Sequence, residues 1–181
     1  MKATLLVAGC LGSLAISHAA AADTYLGAGI GTQPGVNDEF VQHVGQPSGR
    51  SLRGLIGWRF GKLSLEGALN GFTVPTTAYG EKTAYQLSGA LKVSLPLGNN
   101  FEAFFRGGIE RTWLNQQTSN GTDLMGDGFL AGAGFEYRLD AVLANASLFV
   151  DYTVHHVGLE SRAFDVTATT RFWGLGLTVG L

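Results

Sequence analysis

Residues 51–70 read Ser51-Leu-Arg-Gly-Leu-Ile-Gly-Trp-Arg-Phe-Gly-Lys-Leu-Ser-Leu-Glu-Gly-Ala-Leu-Asn70. Leu52, Gly54, Ile56, Trp58 and Phe60 fall on one set of alternate positions, and Ser51, Arg53, Leu55, Gly57 and Arg59 on the other. Past Gly61-Lys62 the alternation resumes, with Leu63, Leu65, Gly67 and Leu69 opposing Ser64, Glu66, Ala68 and Asn70. A period of two is the signature of a strand, because successive side chains point to opposite faces of a sheet. The glycine between two such runs marks a tight turn, so the stretch is a β-hairpin. Each arm is about the length, 9–11 residues, that a tilted strand needs to cross a bilayer.

The same rhythm extends in both directions. It predicts strands at 24–31, 51–60, 63–73, 84–95, 101–113, 127–139, 144–155 and 169–181, the last reaching the end of the sequence. In the fourth, Tyr85, Leu87, Leu91, Val93 and Leu95 oppose Gln86, Ser88, Ala90, Lys92 and Ser94. In the seventh and eighth, Leu148, Val150 and Tyr152, then Trp173, Leu175, Leu177 and Val179, form the apolar side. Upstream, Met1-Lys2, the apolar run Leu5 to Ile16 and the small residues Ala19 to Ala22 read as a secretory signal peptide over 1–22. The barrel domain is then 23–181. Val7-Ala8-Gly9-Cys10 has the form of a lipobox, but the stronger cleavage site follows it, so Cys10 is expected to leave with the signal. No disulfide is then expected.

Period two alone does not say which face meets solvent. A soluble eight-stranded lipocalin would turn its apolar face inward. Here the polar face is mostly Gly, Ser, Ala and Thr, which suits the cramped interior of a narrow barrel. Its charges come in both signs: Arg53, Arg59, Glu66, Lys92, Arg106, Glu110, Glu136, Arg138 and Asp151. An Arg or Lys at the lipid midplane costs about 2–4 kcal/mol, so these are expected inside, paired. Trp58, Phe60, Phe101, Phe135 and Tyr137 sit near strand ends, as an interfacial girdle requires. Charged residues make up only 14% of the chain, and no stretch after the signal is apolar enough for a membrane helix. The net charge, −2, argues against a nucleic-acid partner. Short connections at Gly61-Lys62, 96–100 and 140–143 alternate with longer ones at 32–50, 74–83, 114–126 and 156–168. Outer-membrane barrels keep short turns in the periplasm and long loops outside, so both termini are expected in the periplasm.

Gly57 to Gly67 resembles the second hairpin of the OmpA/OmpX-like outer-membrane β-barrel domains. Leu91-Lys92-Val93-Ser94-Leu95-Pro96-Leu97 with Phe104 to Gly108 is similar to the fourth and fifth strands of that family, and Gly132 to Leu139 to its sixth. The resemblance implies an eight-stranded antiparallel up-and-down transmembrane β-barrel in the bacterial outer membrane. It also implies a paired charge network across the lumen, whose counterparts here are Glu66, Lys92, Arg106 and Glu136, with Arg138 and Asp151. No periplasmic wall-binding domain follows Leu181, so the tethering role of full-length OmpA is not expected.

The function expected is non-catalytic: a structural or surface-interaction protein, with a narrow gated pore or a lipid A-modifying enzyme as alternatives. Partners are outer-membrane lipid and lipopolysaccharide, the barrel-assembly machinery during biogenesis, and an extracellular ligand at the four long loops. Arg111, outward on the fifth strand, is a candidate contact for lipopolysaccharide phosphate. His155-His156, with Glu160 and Ser161, is the one cluster with a hydrolytic look. Neither His is followed two positions on by Ser, the arrangement of the outer-membrane lipid A deacylases, since Val157 and Gly158 stand there. Both are therefore expected at the rim and loop start. Adjacent strand histidines face opposite ways and make a poor metal site. Gly27-Ala28-Gly29-Ile30-Gly31 lies inside a strand with no helix after it, which is packing and not a phosphate loop. No cofactor is expected. Asn120-Gly121-Thr122 matches an acceptor pattern for glycosylation that carries little weight in a bacterial loop.

Overall fold

The computed structural model describes residues 23–76, 80–114, 124–141, 144–160 and 165–181. The predicted signal peptide, Cys10 and the Asn120 acceptor pattern lie outside them. Among the described residues nine strands form: β1 (Asp23–Gly31), β2 (Gly35–Val36), β3 (Ser48–Phe60), β4 (Leu63–Thr76), β5 (Gly80–Gly98), β6 (Phe101–Leu114), β7 (Leu124–Ala141), β8 (Ala144–Glu160) and β9 (Asp165–Gly180). One six-residue helix, α1 (Asp38–His43), lies between β2 and β3.

Eight of these strands pair antiparallel with their sequence neighbours, and β1 pairs with β9 from Tyr25↔Gly180 to Gly31↔Gly174, closing a ring. Closure leaves no edge strand, the condition for a sheet to survive in lipid. The short β2 extends the path of β1 along β9, at Gly35↔Arg171 and Val36↔Thr170. Gly61, with φ +64, makes the predicted tight turn between β3 and β4. The next turn is tighter than predicted, since β5 runs on through Pro96 to Gly98 before Asn99 reverses the chain.

The faces fall as the alternation requires. Leu52, Leu65, Leu87, Leu91, Phe105, Phe129, Leu148 and Leu175 are exposed on the outer wall, while Ser51, Arg53, Ser64, Glu66, Gln86, Lys92 and Ser94 are buried within. Trp58, Phe60, Phe101, Phe135 and Tyr137 ring the end that carries the short turns, Asp23 and Leu181, with Phe101 stacked on Phe135 at 5.7 Å. Tyr85 beside Trp113, and Tyr152 beside Trp173, add aromatic pairs further along the outer wall. From Phe129 to Tyr137 on β7 is about 27 Å of strand, or ~21 Å along a barrel axis after a tilt of about 40°, close to the apolar band of a membrane barrel.

The other end departs from expectation. Segments 74–83, 114–126 and 156–168 were expected as loops, but most of their described residues continue the strands. Region 32–50 holds β2, α1 and the start of β3. Beyond the membrane band the polarity of the wall inverts. Phe72, Val74, Ala84, Leu114, Leu124, Val157, Leu159, Val166 and Ala168 point inward and pack with Phe40 and Val44 of the α1 segment into a buried apolar core. On the outside, Glu160 and Asp165 are exposed. This end is built like a small water-soluble barrel set on a membrane one, with α1 as its plug.

Candidate functional site

The lumen of the membrane band is filled by ionic side chains from six strands. Because each sits on the inward face of its own strand, the ring brings them together from distant parts of the sequence. Asp151 of β8, wholly buried, accepts from Arg53 of β3 at 2.6 Å and from Arg106 of β6 at 2.5 Å. Arg106 also contacts Glu66 of β4 at 3.3 Å. Lys92 of β5 lies 3.4 Å from Glu66 and 2.6 Å from Glu136 of β7. The result is one alternating string, Arg53–Asp151–Arg106–Glu66–Lys92–Glu136, three cations and three anions long.

Neutral groups complete it. Asn70 accepts from Arg53 Nε at 2.9 Å, Thr153 donates to Asp151 at 3.3 Å, and Tyr25 Oη donates to Glu66 at 2.7 Å. Phe104 stands in the middle with Lys92 Nζ 4.5 Å and Arg106 Cζ 5.0 Å from its ring centre. An ion removed from water is tolerated only with such partners, so the string behaves as a unit.

Five of the six residues that the resemblance assigned to the lumen network, Glu66, Lys92, Arg106, Glu136 and Asp151, are members of this string. Arg138 is not. It pairs with Glu102 at 2.6 Å beside Arg59, which binds the same carboxylate, and its side chain is 47% exposed in a vestibule at the terminal end. Arg138 precedes the turn by too little to reach the middle of the bore. Two participants went unassigned. The alternation marks Arg53 only as one of many inward charges. Glu102 sits in Phe101-Glu102-Ala103-Phe104-Phe105, where aromatic residues occupy both faces and alternation does not choose a side.

The histidines also differ from expectation. His155 is no rim residue: it is 1% exposed, hydrogen-bonded through Nδ1 to Glu110 and stacked on Phe172 at 5.0 Å. His156 lies within β8 rather than in a loop, faces outward, and meets Thr169 at 3.0 Å and the Phe129 ring. They do face opposite ways. The strand simply continues past the point where the apolar outer pattern stops. Arg111 is outward and exposed as expected, but it is paired with Asp127 of β7 at 3.0 Å. Gly27 faces Leu55 and Thr178 so closely that a side chain would collide, which makes the glycine run a packing feature.

Among the described residues, the middle of the bore holds little open space. One crevice, lined by Arg53 and Phe172, has no room for water, and a mid-barrel cavity lined by Arg53, Glu66, Arg106 and His155 measures about 10 Å³. The terminal-end vestibule, by contrast, measures about 560 Å³ and stops at Tyr25 and Glu136.

Comparison with known proteins bears on this architecture. The profile described as "Outer membrane protein beta-barrel domain" matches residues 3–180. No curated protein matches the chain in sequence. Among solved structures, Neisserial surface protein A (NspA) superposes with a TM-score of 0.69 at 14% identity, over 87% of this chain and 97% of that one. Ail, the attachment invasion locus protein of Yersinia pestis, gives 0.53 at 11% identity, over 88% and 99%. The N-terminal barrel domain of Pseudomonas aeruginosa OprF gives 0.51 at 12% identity, over 87% and 97%. At such identities the likeness is one of fold.

Proposed function

The chain belongs to the outer membrane protein β-barrel domain family of the bacterial outer membrane, and from that premise we propose that it is a closed, non-catalytic barrel with a structural or surface-interaction role. The observation that carries this reading is the filled bore. A string of three cations and three anions crosses it, and the cavity beside that string holds about 10 Å³. That is about one water molecule. Above the string, the α1 segment and the apolar core close the opposite mouth.

The short turns and both termini face the periplasm in this proposal, and the plugged end faces outward. Arg111 with Asp127 then lies on the outer wall below the plugged mouth, as a candidate contact for lipopolysaccharide phosphate. The barrel-assembly machinery is the expected partner during insertion. A lipid A hydrolase would need its histidine open to the membrane surface. His155 instead lies inside, beneath the apolar core, and the outward-facing His156 meets Thr169 and the Phe129 ring rather than the serine and carboxylate a hydrolase needs, which favours the non-catalytic reading.

Planar-bilayer recording of the refolded protein tests the proposal. It predicts no current steps at moderate voltage. Regular steps whose size changes in Lys92→Ala would favour the gated pore and overturn it. An altered lipid A mass in expressing cells would overturn the non-catalytic part.

A further inference from the structure

The plugged end has walls of one chemistry and a floor of another. On β4, β5, β6, β8 and β9 an inward polar residue gives way, one inward position nearer the mouth, to an apolar one. The pairs are Asn70 and Phe72, Gln86 and Ala84, Thr112 and Leu114, His155 and Val157, Thr170 and Ala168. Glu110 completes this polar floor. Among the described residues of this floor, Gln86 Oε1, Thr112 Oγ1, the second oxygen of Glu110 and His155 Nε2 are buried without any hydrogen-bond partner. Buried orphan acceptors are rare and call for an occupant.

The cover is a short segment anchored to β9 and seated in the cup by Phe40 and Val44. Helix α1 is six residues long and its Asn37 cap makes no side-chain bond to the helix. Asn37 instead holds β9, donating to Thr167 O at 2.8 Å and accepting from Thr169 N at 2.9 Å. On the far side the chain turns through Gly45 at φ +136 and Gly49 at φ +74. What α1 places in the walls is the aromatic ring of Phe40 and the branched chain of Val44.

We propose that this end is a lidded ligand site, in which α1 covers an apolar cup whose acceptor floor takes a small apolar molecule ending in a primary ammonium group. Phe40 shows the body that the walls accept. The free Glu110 oxygen, Gln86 Oε1 and Thr112 Oγ1 supply the acceptors that a –NH₃⁺ group, with three donors and no acceptor, requires. The ligand enters when α1 swings out and Phe40 leaves the cup. This goes beyond the surface role proposed above and does not depend on whether the bore conducts.

The test is methyl NMR of the refolded protein in nanodiscs, titrated with phenethylammonium and, separately, with phenylacetate, which has a similar ring and the opposite charge. Phenethylammonium is expected to shift the methyl groups of Leu114, Leu124, Val157 and Leu159 saturably, and phenylacetate is not. Asn37→Ala removes two hydrogen bonds of the lid and should lower the half-saturating concentration about tenfold. Gly45→Ala acts in the same direction, since its Cβ would stand 2.6 Å from Pro75 O. Glu110→Gln should raise the half-saturating concentration at least about tenfold. If that variant loses the heat-dependent gel shift of a folded barrel, Gln86→Met provides the same test. Equal saturation by phenylacetate, no saturation in Asn37→Ala, or a half-saturation that Asn37→Ala leaves unchanged would overturn the proposal.

Discussion

Asp151 is the residue on which the lumen string depends most. It is wholly buried, and two guanidinium groups meet its carboxylate, Arg53 at 2.6 Å and Arg106 at 2.5 Å. Asp151→Asn keeps the shape and removes the charge. Arg106 would keep Glu66 at 3.3 Å, but Arg53 would be left with a neutral acceptor, Asn70, and the string would carry a net charge of +1. Stripping one partner from a buried pair costs about 3–5 kcal/mol, because the remaining charge stays desolvated. With Arg106 still paired, we expect ~3 kcal/mol, nearer the lower limit. The assay is urea unfolding in lipid vesicles, followed by the heat-dependent gel shift and by the fluorescence of Trp58, Trp113 and Trp173. The double variant Asp151→Asn with Arg53→Met restores neutrality, and should recover about half of the loss even though two wild-type contacts are gone. A single-variant loss below about 0.5 kcal/mol, or a double variant less stable than the single, would refute the view that charge balance governs the bore.

Three further outcomes follow from the same geometry. Leu91→Arg, at an exposed position in the apolar band, should destabilise the folded barrel by about 2–4 kcal/mol in vesicles, whereas Thr83→Arg, outward and beyond the band, should cost under about 1 kcal/mol. Arg111→Ala breaks a pair whose side chains are 61% and 72% exposed, so its effect on the urea midpoint should stay within about 1 kcal/mol and fade with salt. Phe40→Ala should cost about 3 kcal/mol of the plug's attachment while leaving the ring intact, read as faster proteolysis of the 32–47 region with an unchanged gel shift.

The ring was legible because one rule, apolar out and small or polar in, holds through the membrane band. Leu63, Leu65 and Leu69 keep to odd positions on β4 and face lipid. The same strand then places Phe72 and Val74 at even positions, and β8 passes from Leu148 and Val150 to Val157 and Leu159. Read by the membrane rule, that change of phase looks like the end of a strand. It is the point where the outer solvent changes from lipid to water, so the apolar side turns inward without any break in the backbone. For the same reason His155 was expected at the rim. The ionic string was legible as a set of residues, because buried charges must pair. Its order was not, because the partners lie as far apart as 98 residues for Arg53 and Asp151 and only ring closure sets them facing. Arg138 shows the opposite limit: the right face, but a height in the barrel that alternation does not report.

The plug belongs to the chain segment just after β1, yet its anchors, Asn37 to Thr167 and Thr169 and β2 to Arg171 and Thr170, lie on β9. The first and last strands also form the seam that closes the ring. The hydrogen-bonded anchors of the segment between β1 and β3 therefore form only once the final strand has arrived. The α1 segment thereby latches the seam, since its hydrogen bonds tie the chain that follows β1 to the strand with which β1 closes the ring. Contacts of such long sequence separation form slowly. Their loss should accordingly appear mainly as faster unfolding, with the rate of ring formation almost unaltered.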